Sequence, residues 1–472
     1  RIEVLRGAAS AQYGADAMGG AINVVTKGAT QPLGGRIEAG SFGTVAGTIG
    51  VGFRVGHVRM AAGGALNRSD GYREGTDYDV RQLQLKLESP LAAGNVAAQL
   101  SHSRKNFGAA DFYAPFPSYE ETRTTRFAAW WRGSLGRDVE LEPRLWVRRH
   151  NDDFVLHRDD PTRYTNSHLS SQLGAEAVVR YRVGDGFDLA FGGLAGRDLL
   201  ESSNLGDRSQ NRWAVYGEAV TEIGSATLNA GLRGDGYQDY GFVLSPSVSA
   251  AVWLSQLRFR GSFAGSFRTP TWTERYYEDP YNRGQPDLEP ERGWTTEVGA
   301  DLWMTDDMSL NLTAFSRRSR DLIDWARSST VDDTSVWQTT NVKSATFYGL
   351  EGGLSGVVAA TRVSLQASAT SLTSDNDPGL VSKYALRPLV RELILQLGRD
   401  LGPARANLSS RYRRRQYEDG YWLLDVRMGL PFQFGEIYLD LLNALGVEYR
   451  RINGVLAPGR SFMLGFRYLG SM

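Results

Sequence analysis

Hydrophobic and polar residues alternate with period two along most of the chain. Within 421–430, Trp422, Leu424, Val426, Met428 and Leu430 share one parity, while Leu423, Asp425, Arg427 and Gly429 share the other. Within 461–469, Phe462, Leu464, Phe466 and Tyr468 alternate with Met463, Gly465 and Arg467. Leu83, Leu85 and Leu87 alternate with Gln82, Gln84, Lys86 and Glu88. The runs 363–370 and 226–233 behave alike. Successive strand side chains point to opposite faces, so each run predicts a strand with one apolar and one polar face. About 22 such runs fall between residues 33 and 470, an even number of the kind a membrane barrel requires. They are long, about 10 to 15 residues against a usual 5–6. No run after residue 30 carries a helical period.

A soluble sandwich alternates too, and the connections separate the two architectures. Counted from the first strand, odd connections are mostly long, as in 67–79, 105–121, 151–167, 268–293 and 448–460. Even ones are short, as in 54–57, 135–138, 183–186, 222–225 and 304–307. Short turns on one side and long loops on the other are what a transmembrane barrel has and a sandwich lacks. In lipid every backbone N–H and C=O must be paired, so the sheet has to close. The expected fold is therefore all-β, a 22-stranded antiparallel transmembrane β-barrel. Its polar parity (Lys86, Asn229, Asp425, Arg427) faces a bore too wide for side chains to fill and typically plugged.

Composition narrows the reading. The 472 residues hold 53 Lys and Arg against 53 Asp and Glu, so no net field points to nucleic acid. No cysteine is present, which excludes disulfides and thiolate metal sites. Mean hydropathy of −0.35 and the lack of a long apolar run exclude membrane helices but not a barrel.

Candidate chemistry sits in the outward loops. Phe107, Phe112, Tyr113, Phe116 and Tyr119 crowd one region, and Trp272, Tyr276, Tyr277 and Tyr281 another. Rings at a vestibule suit a bulky, partly apolar ligand; the alternative is an interfacial aromatic girdle. Asp70, Glu74, Asp77 and Asp79 lie in a glycine-bearing loop, where carboxylate oxygens could hold calcium or simply form a solvated acidic loop. Asp152, Asp153, Asp159 and Asp160 form a weaker acidic group, and Asp375 and Asp377 a turn. The five histidines lack paired metal-ligand spacing, the glycines of 13–20 lack phosphate-loop spacing, and no nucleophile with its base is evident. A transporter is expected rather than an enzyme.

The first 27 residues, RIEVLRGAASAQYGADAMGGAINVVTK, resemble the end of the plug domain of TonB-dependent outer-membrane receptors. Arg1, Glu3, Arg6, Gly7, Tyr13, Gly14, Gly19, Gly20, Asn23, Thr26 and Lys27 carry the match; Ala8 departs from the proline usual there. The stretch 440–469 resembles the family's last hairpin, and 266–299 its long mid-barrel loop. Gly470, followed by Ser471 and Met472, stands where the family ends on an aromatic residue, so the resemblance implies an altered assembly signal.

The resemblance implies a plug remnant over 1–32, a barrel over 33–472, and a chain truncated so that most of the plug and its TonB-binding segment are missing. The stump's strands are expected to leave an apolar face and strand edges uncovered in the bore. By resemblance the protein is a monomer in the outer membrane of a Gram-negative bacterium, importing a scarce metal chelate by coupling to TonB. The ligand contacts are expected at Phe112, Tyr113, Phe116, Tyr119, Trp272, Tyr276 and Tyr277. The acidic loop and the stretch 267–277 look most like the cobalamin-receptor branch, which carries calcium-binding aspartates in that loop region; this implies calcium at Asp70, Asp77 and Asp79. Ferric siderophores are the alternative ligand, and the absence of histidine between Phe267 and Pro290 lowers heme. A passive porin-like channel is the alternative of another class, because the plug is largely absent.

Overall fold

A computed structural model describes residues 1–26, 33–112, 115–328, 336–375, 379–384, 386–451 and 454–469. The long strands close into a 22-stranded antiparallel barrel. The first, Gly34–Gly40, pairs with the last, Ser461–Leu469, from Gly40↔Met463 to Gly34↔Leu469, and leaves no open edge. Most strands run from 12 residues, as in Thr44–Val55, to 22, as in Trp337–Val358. Among the described residues no helix is long and apolar enough to cross a membrane; strands do the crossing.

The alternation maps onto the two faces. Directly paired residues of an antiparallel sheet share a face, so the row Leu85↔Leu100↔Phe127↔Val147↔Leu173 runs around one side of the cylinder. These side chains are 40–50% exposed, and Ile37, Leu350 and Leu464 more so, forming an outward apolar belt. The other parity turns inward. Asn229 donates to Glu218, which also accepts from Gln12 in the bore (2.5 and 3.1 Å). Lys86 pairs with Glu88 at 2.7 Å, Arg427 with Asp440 at 2.7 Å, and Arg411 with Asp425.

Glycines serve this wall by letting aromatic rings lie flat on it. Tyr438 crosses Gly465, where a Cβ would stand 2.3 Å from the ring, and its hydroxyl reaches Glu38 at 2.5 Å. One side chain thus spans three strands across the closing seam. Tyr216 crosses Gly192 in the same way to donate to Glu176 at 2.5 Å.

Four turns on the short side place glycine at positive φ (Gly56, Gly184, Gly224 and Gly402), but Ala359 and Ala360 take φ of 47° and 62°. L-residues there cost about 1–2 kcal/mol each, and Asn-Gly is the favoured pair for such a hairpin. Ala359→Asn with Ala360→Gly is expected to raise stability by about 1–2 kcal/mol, read as a higher urea midpoint at unchanged slope.

Inside the barrel, β1 (Ile2–Arg6), α1 (Ser10–Tyr13) and β2 (Gly20–Val24) form a separate unit. β1 and β2 pair antiparallel from Ile2↔Val24 to Arg6↔Gly20. Ile2, Val4, Ile22 and Val24 share one face of this hairpin and are 60–71% exposed. Residues 27–32 and Gly470, Ser471 and Met472, with the altered terminal signal, lie outside the described residues.

Helix is not wholly absent after residue 30. The loop 269–290 contains α2 (Trp272–Tyr276), opened by a capping box in which Thr271 and Glu274 bond each other's backbone N–H. Asp152 and Asp153, expected in a loop, belong to the strand Val139–Val155, which rises past the apolar belt.

Candidate functional site

Two features of the molecule bear on ligands: the vestibule formed by the outward loops, and the hairpin held in the bore beneath it.

The hairpin rests on charged wall residues, and its glycines explain how it fits. Gly7, at φ 79°, lies against Glu297, whose Oε1 would be 2.3 Å from a Cβ. Gly14, at φ 78°, lies against the guanidinium of Arg233, 3.0 Å from a Cβ, and Gly19 faces Arg317 at 3.5 Å. Positive φ and close approach both demand glycine at the first two. Arg233 is itself locked to Asp235 by three bonds of 2.9–3.0 Å, both residues only 3% exposed. Arg6 reaches Glu351 at 2.9 Å. Ser10 is fully buried and accepts from the Phe267 amide at 3.3 Å, while the Asp16 amide donates to the Phe267 carbonyl at 2.9 Å. Gly20, at φ 144°, leaves only 2.3 Å between a notional Cβ and the Leu5 carbonyl oxygen. Arg1 and Glu3 pair with each other at 2.5 Å, away from the wall, and Tyr13 is 48% exposed.

Above the hairpin the outward loops are tied together by arginines. Arg73 donates to Asp111 (2.8 Å) and to the Ala110 carbonyl (2.7 Å), joining the loop 70–77 to the loop 109–118. Arg158 grips Asp77 through both carboxylate oxygens, at 2.5 and 2.9 Å, and lies over the Tyr119 ring at 4.6 Å. Phe116 meets His157 edge-on at 4.9 Å. Tyr72 donates to the Leu456 carbonyl, fastening the last loop to the same group.

Around α2, Arg268 donates to both oxygens of Glu274 at 3.0 Å, and Arg275 donates to Asp239 (2.8 Å) and the Tyr240 hydroxyl (3.2 Å). These bonds pin α2 over the wall. Arg208 stacks on Tyr276 at 3.9 Å. Burial, with Tyr164 and Asp279 beside it, pushes the Tyr277 hydroxyl well above the usual phenol range. Burial likewise pushes Tyr240 up to about 12.

The expected ligand-contact residues therefore fall into two groups. Phe116, Tyr119, Tyr276 and Tyr277 are brought into one arginine-laced rim, with Tyr164 linking the two loop clusters. Phe112 stands 52% exposed, and Trp272 is half-buried on α2. Tyr113 lies outside the described residues, and Phe107 belongs to the strand Gly94–Gly108. The arginines 73, 158, 208 and 275 are the residues that sequence reading missed; the adjacent pairs Tyr72-Arg73 and Arg275-Tyr276 were the available signal.

The aspartates do not converge as an oxygen cage. Asp77 is held by Arg158, Asp79 by Arg81 (2.8 and 3.1 Å), and Asp70 packs against Gly43. Among the described residues no group of three or more acidic or histidine side chains is placed to hold a metal. Calcium needs six to eight oxygens, and two of these carboxylates, Asp77 and Asp79, are engaged by guanidinium groups.

The bond from Arg158 holds the Asp77 carboxyl below the usual range. A depressed folded value means the contribution is fully present above the ordinary Asp value of about 3.9 and is lost as pH falls through the lower one. A spin label at Phe112→Cys is thus expected to stay immobile down to about pH 4 and to loosen below it. In Arg158→Met it should be loose at neutral pH as well.

The family described as TonB dependent receptor-like, beta-barrel matches residues 26–447. The vitamin B12 transporter BtuB of Vibrio cholerae serotype O1 is 24% identical over 370 residues, which is 74% of this chain and 58% of that protein. The BtuB of Photobacterium profundum is 22% identical over 373 residues, 74% of this chain and 59% of that one. The chain thus spans 58–59% of the length of these curated relatives. The siderophore receptor PirA of Pseudomonas aeruginosa superposes with a TM-score of 0.79 at 18% identity, over 99% of this chain and 86% of that one. The FrpB iron transporter of Neisseria meningitidis (F3-3 variant) gives 0.81 at 17%, over 99% and 87%. At these identities the likeness to solved structures is one of fold.

Proposed function

This chain belongs to the TonB-dependent receptor β-barrel family, and from that premise we propose that it walls a receptor importing a scarce metal chelate, a corrinoid of the cobalamin class, with energy delivered through TonB. Its barrel lies in the outer membrane of a Gram-negative bacterium. In this reading the hairpin within residues 1–26 belongs to the plug, and the strands from Gly34 to Leu469 are the wall. The observation that carries the reading is the seat of the hairpin: a small body held in a sealed bore by glycine-to-charge contacts at Glu297, Arg233 and Arg317. Such contacts hold a body in place yet yield to a pull more readily than an apolar core would, because water can replace them. The corrinoid assignment rests on the two BtuB relatives, which match about three quarters of this chain. The second reading, a ferric siderophore, draws on the vestibule itself, where arginines over aromatic rings suit an anionic aromatic chelate.

Calorimetry of the full-length gene product distinguishes them. Saturable binding of cyanocobalamin, unchanged by calcium, is expected. Heat with a ferric catecholate and none with cyanocobalamin would move the assignment to the second reading; heat with neither would end both.

A further inference from the structure

The outer face of the wall carries a pair of facing arginines. On the strands Leu389–Leu401 and Ala404–Arg415, the inward pair Glu392↔Arg413 is an ion pair at 2.7 Å. The outward neighbours of these same residues are Arg391 and Arg414, directly opposite each other and both exposed. No carboxylate lies within ion-pair distance of either among the described residues. Like charges directly opposite destabilise a sheet, so an anion at this spot would stabilise it.

The surroundings define what kind of anion. Arg391 and Arg414 line an outward groove of about 700 Å³ whose floor includes Leu350 and Ala369 and whose rim includes Tyr348 and Tyr417. Leu350 is 65% exposed and belongs to the apolar belt, and Tyr417, at φ 64°, is 82% exposed. One row nearer the membrane centre, Tyr412 and Trp422 pack at 5.1 Å, as interfacial aromatics do. The two guanidinium groups therefore stand at headgroup height with an apolar trough running below them. Elsewhere on the outer rim, Arg81, Arg104 and Arg123 also align across strands, but each is neutralised by Asp79, Glu121 or Asp153.

We propose that the groove of Arg391, Arg414, Tyr348 and Tyr417 is a binding site for a phosphate-bearing lipid of the outer leaflet. The phosphate oxygens accept from the two guanidinium forks, a planar match that an ammonium does not offer. An acyl chain lies along Leu350 and Ala369.

The test is native mass spectrometry of the full-length gene product, taken from membranes in mild detergent and offered phosphatidic acid or phosphatidylcholine. Retention of phosphatidic acid is expected to exceed that of phosphatidylcholine about tenfold. Arg391→Gln with Arg414→Gln should abolish the preference, and Arg81→Gln should keep it. Should the double variant not fold, Ala369→Trp fills the trough while leaving both arginines, and it too should lose the lipid. Equal retention of the two lipids, an unchanged preference in either groove variant, or displacement of the lipid by millimolar inorganic phosphate would overturn the proposal.

Discussion

Replacing Arg233 by methionine is expected to destabilise the protein by about 3–5 kcal/mol, because it leaves a buried carboxylate without its partner. Asp235 is 3% exposed and takes all three of its bonds from Arg233. The guanidinium also lies over the Tyr216 ring at 5.0 Å and supports Gly14 from below. Its loss should therefore reach the hairpin. Amide exchange at Asp16, whose N–H is held by the Phe267 carbonyl, and at Phe267, whose N–H is held by the Ser10 hydroxyl, should quicken in step with the loss of stability. Arg233→Met combined with Asp235→Leu should recover most of the stability, since replacing both partners removes the unpaired charge. Urea unfolding in lipid vesicles measures the first effect, and hydrogen exchange the second.

The second large effect comes from the outer face. Leu85 lies near the middle of its strand, Tyr78–Leu91, and is 50% exposed on the apolar belt. Leu85→Arg is expected to cost about 2–4 kcal/mol, the penalty for an arginine at the bilayer midplane of a barrel. Gln84, one residue away, faces the bore opposite Gly63 and Ser101. Gln84→Arg should cost little, because the bore is polar. Refolding equilibria of the two variants in the same vesicles give the contrast directly.

Much of the fold could be read from residues alone. The alternation of 421–430 and 461–469 predicted which side chains face out, and Trp422, Leu430, Phe462 and Leu464 do. The long and short connections predicted closure, and the seam between Gly34–Gly40 and Ser461–Leu469 completes it. The strand–turn–strand reading of the first residues matches β1 and β2, and the uncovered face expected there is that of Ile2, Val4, Ile22 and Val24. Period-two patterning carries this information because one pleat flip exchanges faces, so each residue's parity is a statement about its solvent.

The site was less legible, for reasons that are also physical. Loop residues have no period, so which loops touch depends on pairings distant in sequence. Arg158 lies 81 residues from Asp77, and nothing local marks them as partners. The same distance effect dispersed the aspartates: Asp77 and Asp79 sit two apart in sequence yet turn to different arginines, Arg158 and Arg81. Tyr438 and Gly465 look unrelated until the sheet sets them side by side. By contrast α2 could have been found, since Thr271 and Glu274 spell a capping box three residues apart.

The most direct measurement is a scan of single spin labels from Trp422 to Leu430 in the membrane-embedded protein, where the absence of native cysteine makes labelling clean. Collision with dissolved oxygen should be high at 422, 424, 426, 428 and 430 and low at the positions between, with a water-soluble relaxant showing the opposite order. Uniform accessibility, or an inverted pattern with the apolar parity wet, would contradict a sealed barrel with a charged bore.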